Sequence, residues 1–243
     1  MPAKAAYALY CDDSGGEDDA LRSAACVSGP ARVLLALERE LRQVLRIAGM
    51  RELKWSALRT RAARLQAARA FIELAALGAG AGALRVEVLL WRPRDQGRAS
   101  RARSEAQRLR PVYARLWRGA ARAWPAGRWN VHPDQRTGMR WQELGPVLKG
   151  DFGRDGGRLR ALKEASSARS ACVQLADLLA GLCRVPARPD KDSPAWRNRA
   201  ALRAHLAAAC AQRGLRLGER EGLFEARQSR LSITQLRRLP ARA

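Results

Sequence analysis

A short apolar run that ends in two adjacent carboxylates constrains this chain more than any other feature. Residues 7–13 read Tyr7-Ala-Leu-Tyr-Cys-Asp12-Asp13 and are followed at once by Ser14, Gly15 and Gly16. Five apolar residues with two aromatics, bounded by a flexible turn, predict a strand covered on both faces rather than a helix. Carboxylates at the tip of such a strand are costly to bury unless they are paired or hold a metal. Asp12 and Asp13 therefore either open a solvated acidic loop with Glu17, Asp18 and Asp19, or begin a site. Side chains alternate along a strand, so the two point to opposite faces unless the strand has already ended. That favours Asp12 as a direct ligand and Asp13 as an outer-shell or second-metal residue.

The rest of the chain supplies elements to build around that strand. Ser23 to Ser28 predicts a second strand in an antiparallel hairpin with the first. Apolar positions at helical spacing predict a helix over 31–48, and Ser56 is the expected cap of a second helix running to about Leu77. Leu84 to Trp91 reads as the third strand and Arg128 to His132 as the fourth. A helix is expected from Pro111 to Trp124, another from about Met139 to Leu148, and a fifth strand from Leu159 to Lys163. A further helix spans Ala171 to Arg184. Pro186, Pro189 and Pro194 then mark a linker, followed by a helix from about 195 to 213 and a polar C-terminus. A hairpin followed by strand-helix-strand-helix predicts an α/β fold, a mixed sheet of about five strands with helices packed on it. The expected organisation is one domain over 1–188 and a linker with a helical extension over 189–243.

Charge narrows the choice of partner. The chain carries 46 basic and 23 acidic residues for a formal net charge of +23, yet residues 1–50 carry 6 basic against 7 acidic. An acidic N-terminal turn in a cationic body favours a polyanionic partner, since Lys and Arg that neutralise phosphates release condensed counterions. All but five of the basic residues are arginine, a ratio that coding bias also produces, but bias does not account for the shortage of Asp and Glu. Seven arginines lie between Arg92 and Arg110, among them Arg94, Arg98, Arg101 and Arg103, and this run either tracks a phosphate backbone or forms a solvated face. Five cysteines without paired spacing argue against a disulfide framework and against structural zinc, which points to a reducing cytoplasm. No apolar stretch approaches the roughly 18 residues that span a bilayer, so no membrane partner is expected.

The helix from Ala171 is apolar around most of its circumference, and its narrow polar stripe holds only Gln174, Asp177, Gly181 and Arg184. Gly181, one turn beyond Asp177, is expected to leave open space beside the carboxylate. Asp12 at the end of strand one, Asp134 just after strand four and Asp177 on this helix can converge if strands one and four are neighbours. Converging carboxylates repel and have raised pKa values unless a divalent cation neutralises them. Mg2+ or Mn2+ suits such hard oxygen donors, and a pair of ions about 4 Å apart activates water and stabilises the leaving oxygen in phosphodiester hydrolysis.

Tyr10-Cys-Asp12-Asp13-Ser14-Gly15, Glu52-Leu-Lys54-Trp55, Asp134 after a strand, and Ser170-Ala-Cys-Val-Gln174-Leu-Ala-Asp177-Leu-Leu-Ala-Gly181 together resemble the bacterial and phage proteins grouped as domain of unknown function 3800. The four segments fall in the same order over roughly residues 5 to 185. The resemblance implies a ribonuclease-H-like fold and a metal-dependent nuclease. It implies Asp12, Asp134 and Asp177 as catalytic metal ligands, with Asp13, Lys54, Glu52 and Gln174 in secondary positions. Lys54 matches a basic residue of the family's connector, where a cation could hold a phosphate; alternatively it packs its stem on Trp55. Two departures stand out. Asp13 replaces the family's usual glutamate, and Pro133 directly precedes Asp134 where an apolar strand residue is expected, removing a ladder hydrogen bond.

The expectation is therefore a nuclease-like hydrolase using Mg2+ or Mn2+ on DNA or RNA. The alternatives are a non-catalytic nucleic-acid-binding or interaction module on the same scaffold, and an enzyme acting on a small phosphorylated compound. His132 is a candidate general base, and Glu164 and Ser167 are candidate lining residues.

Overall fold

The computed structural model describes residues 6–15, 21–92, 104–124, 127–135, 141–154, 157–185, 193–223 and 230–238. Strands β1 (Ala6–Ser14), β2 (Arg22–Pro30) and β3 (Arg85–Trp91) form an antiparallel meander. Strands β4 (Arg128–Pro133) and β5 (Arg158–Leu162) join on the other side of β1 as parallel neighbours. The order β5-β4-β1-β2-β3, with only β2 running against the rest, is that of a ribonuclease-H-like mixed sheet. The condition for the acids to converge is met: β1 and β4 are adjacent, with Cys11 opposite Pro133. The proline does not end the pairing: Asp134 N–H donates to Cys11 O at 2.9 Å and Gln135 N–H to Ala165 O at 3.0 Å.

Helices cover both faces. One core lies between the sheet and α1 (Ala31–Ile47), α2 (Ala62–Gly80), α5 (Ala171–Arg184) and α6 (Pro194–Gln212). The other lies under α3 (Glu105–Ala123), where Trp117, Trp129 and Trp141 are almost fully buried. Burial on both faces explains why residues 23–28 of β2 are only Ser, Ala, Cys and Val, with no charged face to present. In α1 the buried Leu34, Leu37, Leu41 and Leu45 form a single stripe. Helix α5 is buried almost all round, and Ser23 Oγ–H donates to Ala180 O at 2.8 Å to hold it on β2.

Several boundaries differ from expectation. The second helix begins at Ala62, not Ser56: residues 53–58 turn through a short 3-10 segment, in which the Leu53 and Trp55 N–H groups donate to side chains of α5 and those of Ala57 and Leu58 to Lys54 O and Trp55 O. Helix α3 starts six residues before Pro111. Ser104 and Gln107 form a capping box that stabilises this earlier start. The helix expected at 139–148 is a 3-10 turn (Trp141–Leu144) followed by α4 (Gly145–Arg154), with Pro146 in a first turn that tolerates it. The C-terminal segment is more than a helical extension. Leu202, Leu206, Ala209 and Cys210 of α6 share the first core, and β6 (Leu215–Leu223) and β7 (Arg230–Arg238) extend the sheet to seven strands through β7 beside β3. All five cysteines are free thiols. Among the described residues no helix is long and apolar enough to cross a membrane.

Candidate functional site

The site lies at the end of the sheet where β1 and β4 both finish. Strand alternation sends Ala8, Tyr10 and Asp12 toward α5, while Leu9, Cys11 and Asp13 face α3. Asp134 follows the last residue of β4 and is held by an isolated bridge to Ala165. Asp177 is the only residue in the first twelve of α5 that is not buried, so the helix opens here before its last turn. All three carboxylates line one cavity of about 220 Å³, together with Asp13, Lys54, Gln174 and Ser167.

Each of the three acids is oriented by a main-chain donor. Asp12 Oδ1 accepts the Asp13 N–H at 2.7 Å, Asp134 Oδ1 the Ser167 N–H at 3.0 Å, and Asp177 Oδ2 the Trp55 N–H at 2.8 Å. Burial pushes the Asp12 carboxyl well above its ordinary range, and the charges of Asp177, Asp134 and Asp13 add to the rise. Burial likewise raises Asp134, against the pull of the Ser167 N–H. Asp177 is pushed up to about 6, chiefly by burial and then by Asp134 and Asp13, while the Trp55 N–H and the Lys54 charge hold it back. Mutual repulsion of this kind is the electrostatic signature of acids that share one space.

The secondary positions are brought to the same place. Gln174 is buried and bridges, accepting the Leu53 N–H at 2.8 Å through Oε1 and donating Nε2–H to Ser167 O at 2.7 Å. Glu52 stands behind the cavity, where it accepts the Ser167 hydroxyl at 2.8 Å and lies 3.4 Å from Lys54 Nζ. Lys54 is about half exposed at the cavity mouth. Asp13 is tied away from the other acids: Tyr113 Oη–H donates to it at 2.8 Å, and the buried guanidinium of Arg22 lies 3.4 Å away while also reaching Glu105 at 2.8 Å.

One expectation is corrected. Gly181 does not leave open space: a Cβ there would lie 2.2 Å from Trp55 Cδ2, so the glycine is a seat for the indole. Seating Trp55 against α5 brings its N–H to Asp177. The Arg199 guanidinium of α6 lies over the same ring at 4.7 Å and donates to Leu58 O and Trp55 O.

Tyr113, Trp141 and Arg22 are site residues that pattern reasoning missed. Tyr113 and Trp141 fall among core aromatics, and Arg22 is one arginine among many. Ser167 joins the site as expected, but Glu164 does not line the cavity. His132 stacks on Tyr10 at 4.8 Å, outside the cavity lining, and burial lowers its pKa. Arg92 is exposed at the end of β3, while Arg94, Arg98, Arg101 and Arg103 lie outside the described residues.

The donor set is chemically suited to a hard divalent cation: three carboxylates with raised pKa values and, among the described residues, no buried cation lining the cavity with them. Among the described residues, however, no three His, Cys, Asp or Glu side chains already stand in a ligating arrangement. A cation would have to draw the acids inward.

No protein-family model matches the chain. Over 186 residues it is 28% identical to an uncharacterized protein, ORF2, of Methanothermobacter thermautotrophicus, a similarity that takes in 71% of this chain. The chain spans 65% of the length of that relative, whose printed name carries no activity.

Proposed function

We propose that the chain is a divalent-metal-dependent phosphodiester hydrolase acting on nucleic acid, working in a reducing cytoplasm. The observation that carries this reading is the meeting of Asp12, Asp134 and Asp177, from three separate elements, in one cavity where each is fixed by a backbone N–H and raised by burial. Leaving three mutually repelling acids in one pocket destabilises the fold unless something positive comes to them. The resemblance of the segments around Asp12, Lys54 and Asp177 to domain of unknown function 3800 supports the same conclusion.

Asp12, Asp134 and Asp177 would hold Mg2+ or Mn2+, and the ion would supply an activated water and charge stabilisation at the phosphate. The protein's own groups do the positioning. Main-chain donors fix the carboxylate orientations, Gln174 locks the 53–55 connector to residue 167, and Lys54 at the mouth offers a cation to a phosphate oxygen. Asp13 stays outside this set, held by Arg22 and Tyr113.

A non-catalytic nucleic-acid-binding role is favoured by one observation, the absence among the described residues of a ready ligating triad. Incubation of the protein with labelled DNA and RNA, with Mn2+ or EDTA, separates the two. The hydrolase is expected to cleave only with metal and to fall at least about 100-fold in Asp12→Asn and Asp177→Asn. Binding without cleavage, equal in all three proteins, would establish the binding role instead.

A further inference from the structure

We infer that Arg22 and Tyr113 are positioning residues that hold Asp13 out of the metal-ligating set, so that the cavity takes a single divalent ion rather than a pair. This rests on the cation-site reading above and adds how many ions the site holds and what sets the number. Among the described residues four carboxylates line the cavity, and Asp13 is engaged differently from the other three. Asp12, Asp134 and Asp177 are oriented by neutral main-chain N–H groups. Asp13 is engaged by side chains on both of its oxygens: Oδ1 accepts the Tyr113 hydroxyl at 2.8 Å, and Oδ2 lies 3.4 Å from Arg22 Nη2. Its side chain is only 2% exposed and faces α3, the helix that carries Tyr113.

Both holders are themselves fixed. The Arg22 side chain is 3% exposed, its Nη2 also meets Glu105 Oε1 at 2.8 Å, and its guanidinium lies over the Trp91 ring at 5.6 Å. Tyr113 is buried edge-on against Trp141 at 4.7 Å and beside Trp117 at 5.9 Å, so packing sets where its hydroxyl points. Drawing Asp13 to a metal would strip a buried guanidinium of a carboxylate and the Tyr113 hydroxyl of its acceptor, and both losses are costly in a dry interior. A cation entering the cavity has to pull the acids inward, and Asp13 is the one that cannot follow. The three that can follow offset one divalent ion. A second ion about 4 Å from the first would leave the lining, which already includes Lys54, with an excess of positive charge.

The test is a Mn2+ titration of the full-length protein without nucleic acid, followed by electron paramagnetic resonance, which counts bound ions and shows spin coupling when two lie about 4 Å apart. The unsubstituted protein is expected to bind one ion with no coupled signal. Arg22→Gln removes the charge that holds Asp13 and is expected to admit a second ion with the coupled signal, a gain that loosened packing alone would not produce. Arg22→Gln combined with Asp13→Asn is expected to return to one ion. Two coupled ions in the unsubstituted protein, a count that needs no variant to fold, would overturn the inference. So would an Arg22→Gln protein that is folded by circular dichroism and still takes one ion. Failure of the cation-site reading shows separately, as no Mn2+ bound by the unsubstituted protein, and it would overturn both.

Discussion

Asp177 concentrates the chemistry of the site at the scale of one residue. An aspartate that ordinarily titrates near 3.8 is pushed up to about 6 by burial and by its acidic neighbours. Between these values the folded chain keeps a proton that the unfolded chain has released. Stability therefore falls as pH rises from about 4 to about 6 and stays reduced above that window. The ionised carboxylate opposes folding at neutral pH by an amount on the order of 2–3 kcal/mol. Asp177→Asn, which can still accept the Trp55 N–H, is expected to raise the thermal midpoint at pH 8 in EDTA by on the order of 5 °C and to flatten the decline between pH 4 and 6. Differential scanning calorimetry across that range checks it, and an unchanged or lowered midpoint at pH 8 would contradict it. A residue that destabilises the empty fold in this way fits a function better than a structural duty.

The decisive element is the 51–58 connector pressed between α5 and α6. Its Leu53 and Trp55 N–H groups serve Gln174 and Asp177, and Trp55 fits against Gly181 beside the Arg199 guanidinium. A methyl group at position 181 would force the indole outward and carry the Trp55 N–H and Lys54 with it. Gly181→Ala is expected to lower stability by about 1–3 kcal/mol in a denaturant titration and to weaken divalent-metal binding. Gly153→Ala on α4, where an added Cβ meets nothing within 4 Å, is expected to do neither. Equal behaviour of the two variants would show that the Trp55 seat is unimportant. The contact could not be read from the chain, since Gly181 on a polar stripe suggests empty space when the partner is more than 120 residues away in sequence.

At the scale of the molecule, short-range pattern was a good guide and long-range pairing was not. The β1–β2 hairpin, α1 and α5 follow from apolar runs, turn residues and helical spacing, which are local signals, whereas the β1–β4 adjacency joins strands more than 100 residues apart and entered only as a condition. Once that condition is met, Asp12, Asp134 and Asp177 come to one end of one sheet. Pro111 hid the true start of α3, although Ser104 and Gln107 marked it. The β6–β7 pair was missed because Leu215 to Leu223 mixes charges and glycines, and its place in the sheet depends on β3, over 120 residues earlier. Tyr113 and Arg22 were hidden for the same reason, since what makes them part of the site is contact with Asp13. The central claim is that three carboxylates form one cation site, and calorimetric titration of the protein with Mn2+ at pH 7.5 tests it most directly. Saturable binding is expected in the unsubstituted protein, weakened at least about tenfold in both Asp12→Asn and Asp177→Asn while each stays folded by circular dichroism. Absence of binding at millimolar Mn2+, or an isotherm unchanged in both variants, would contradict it.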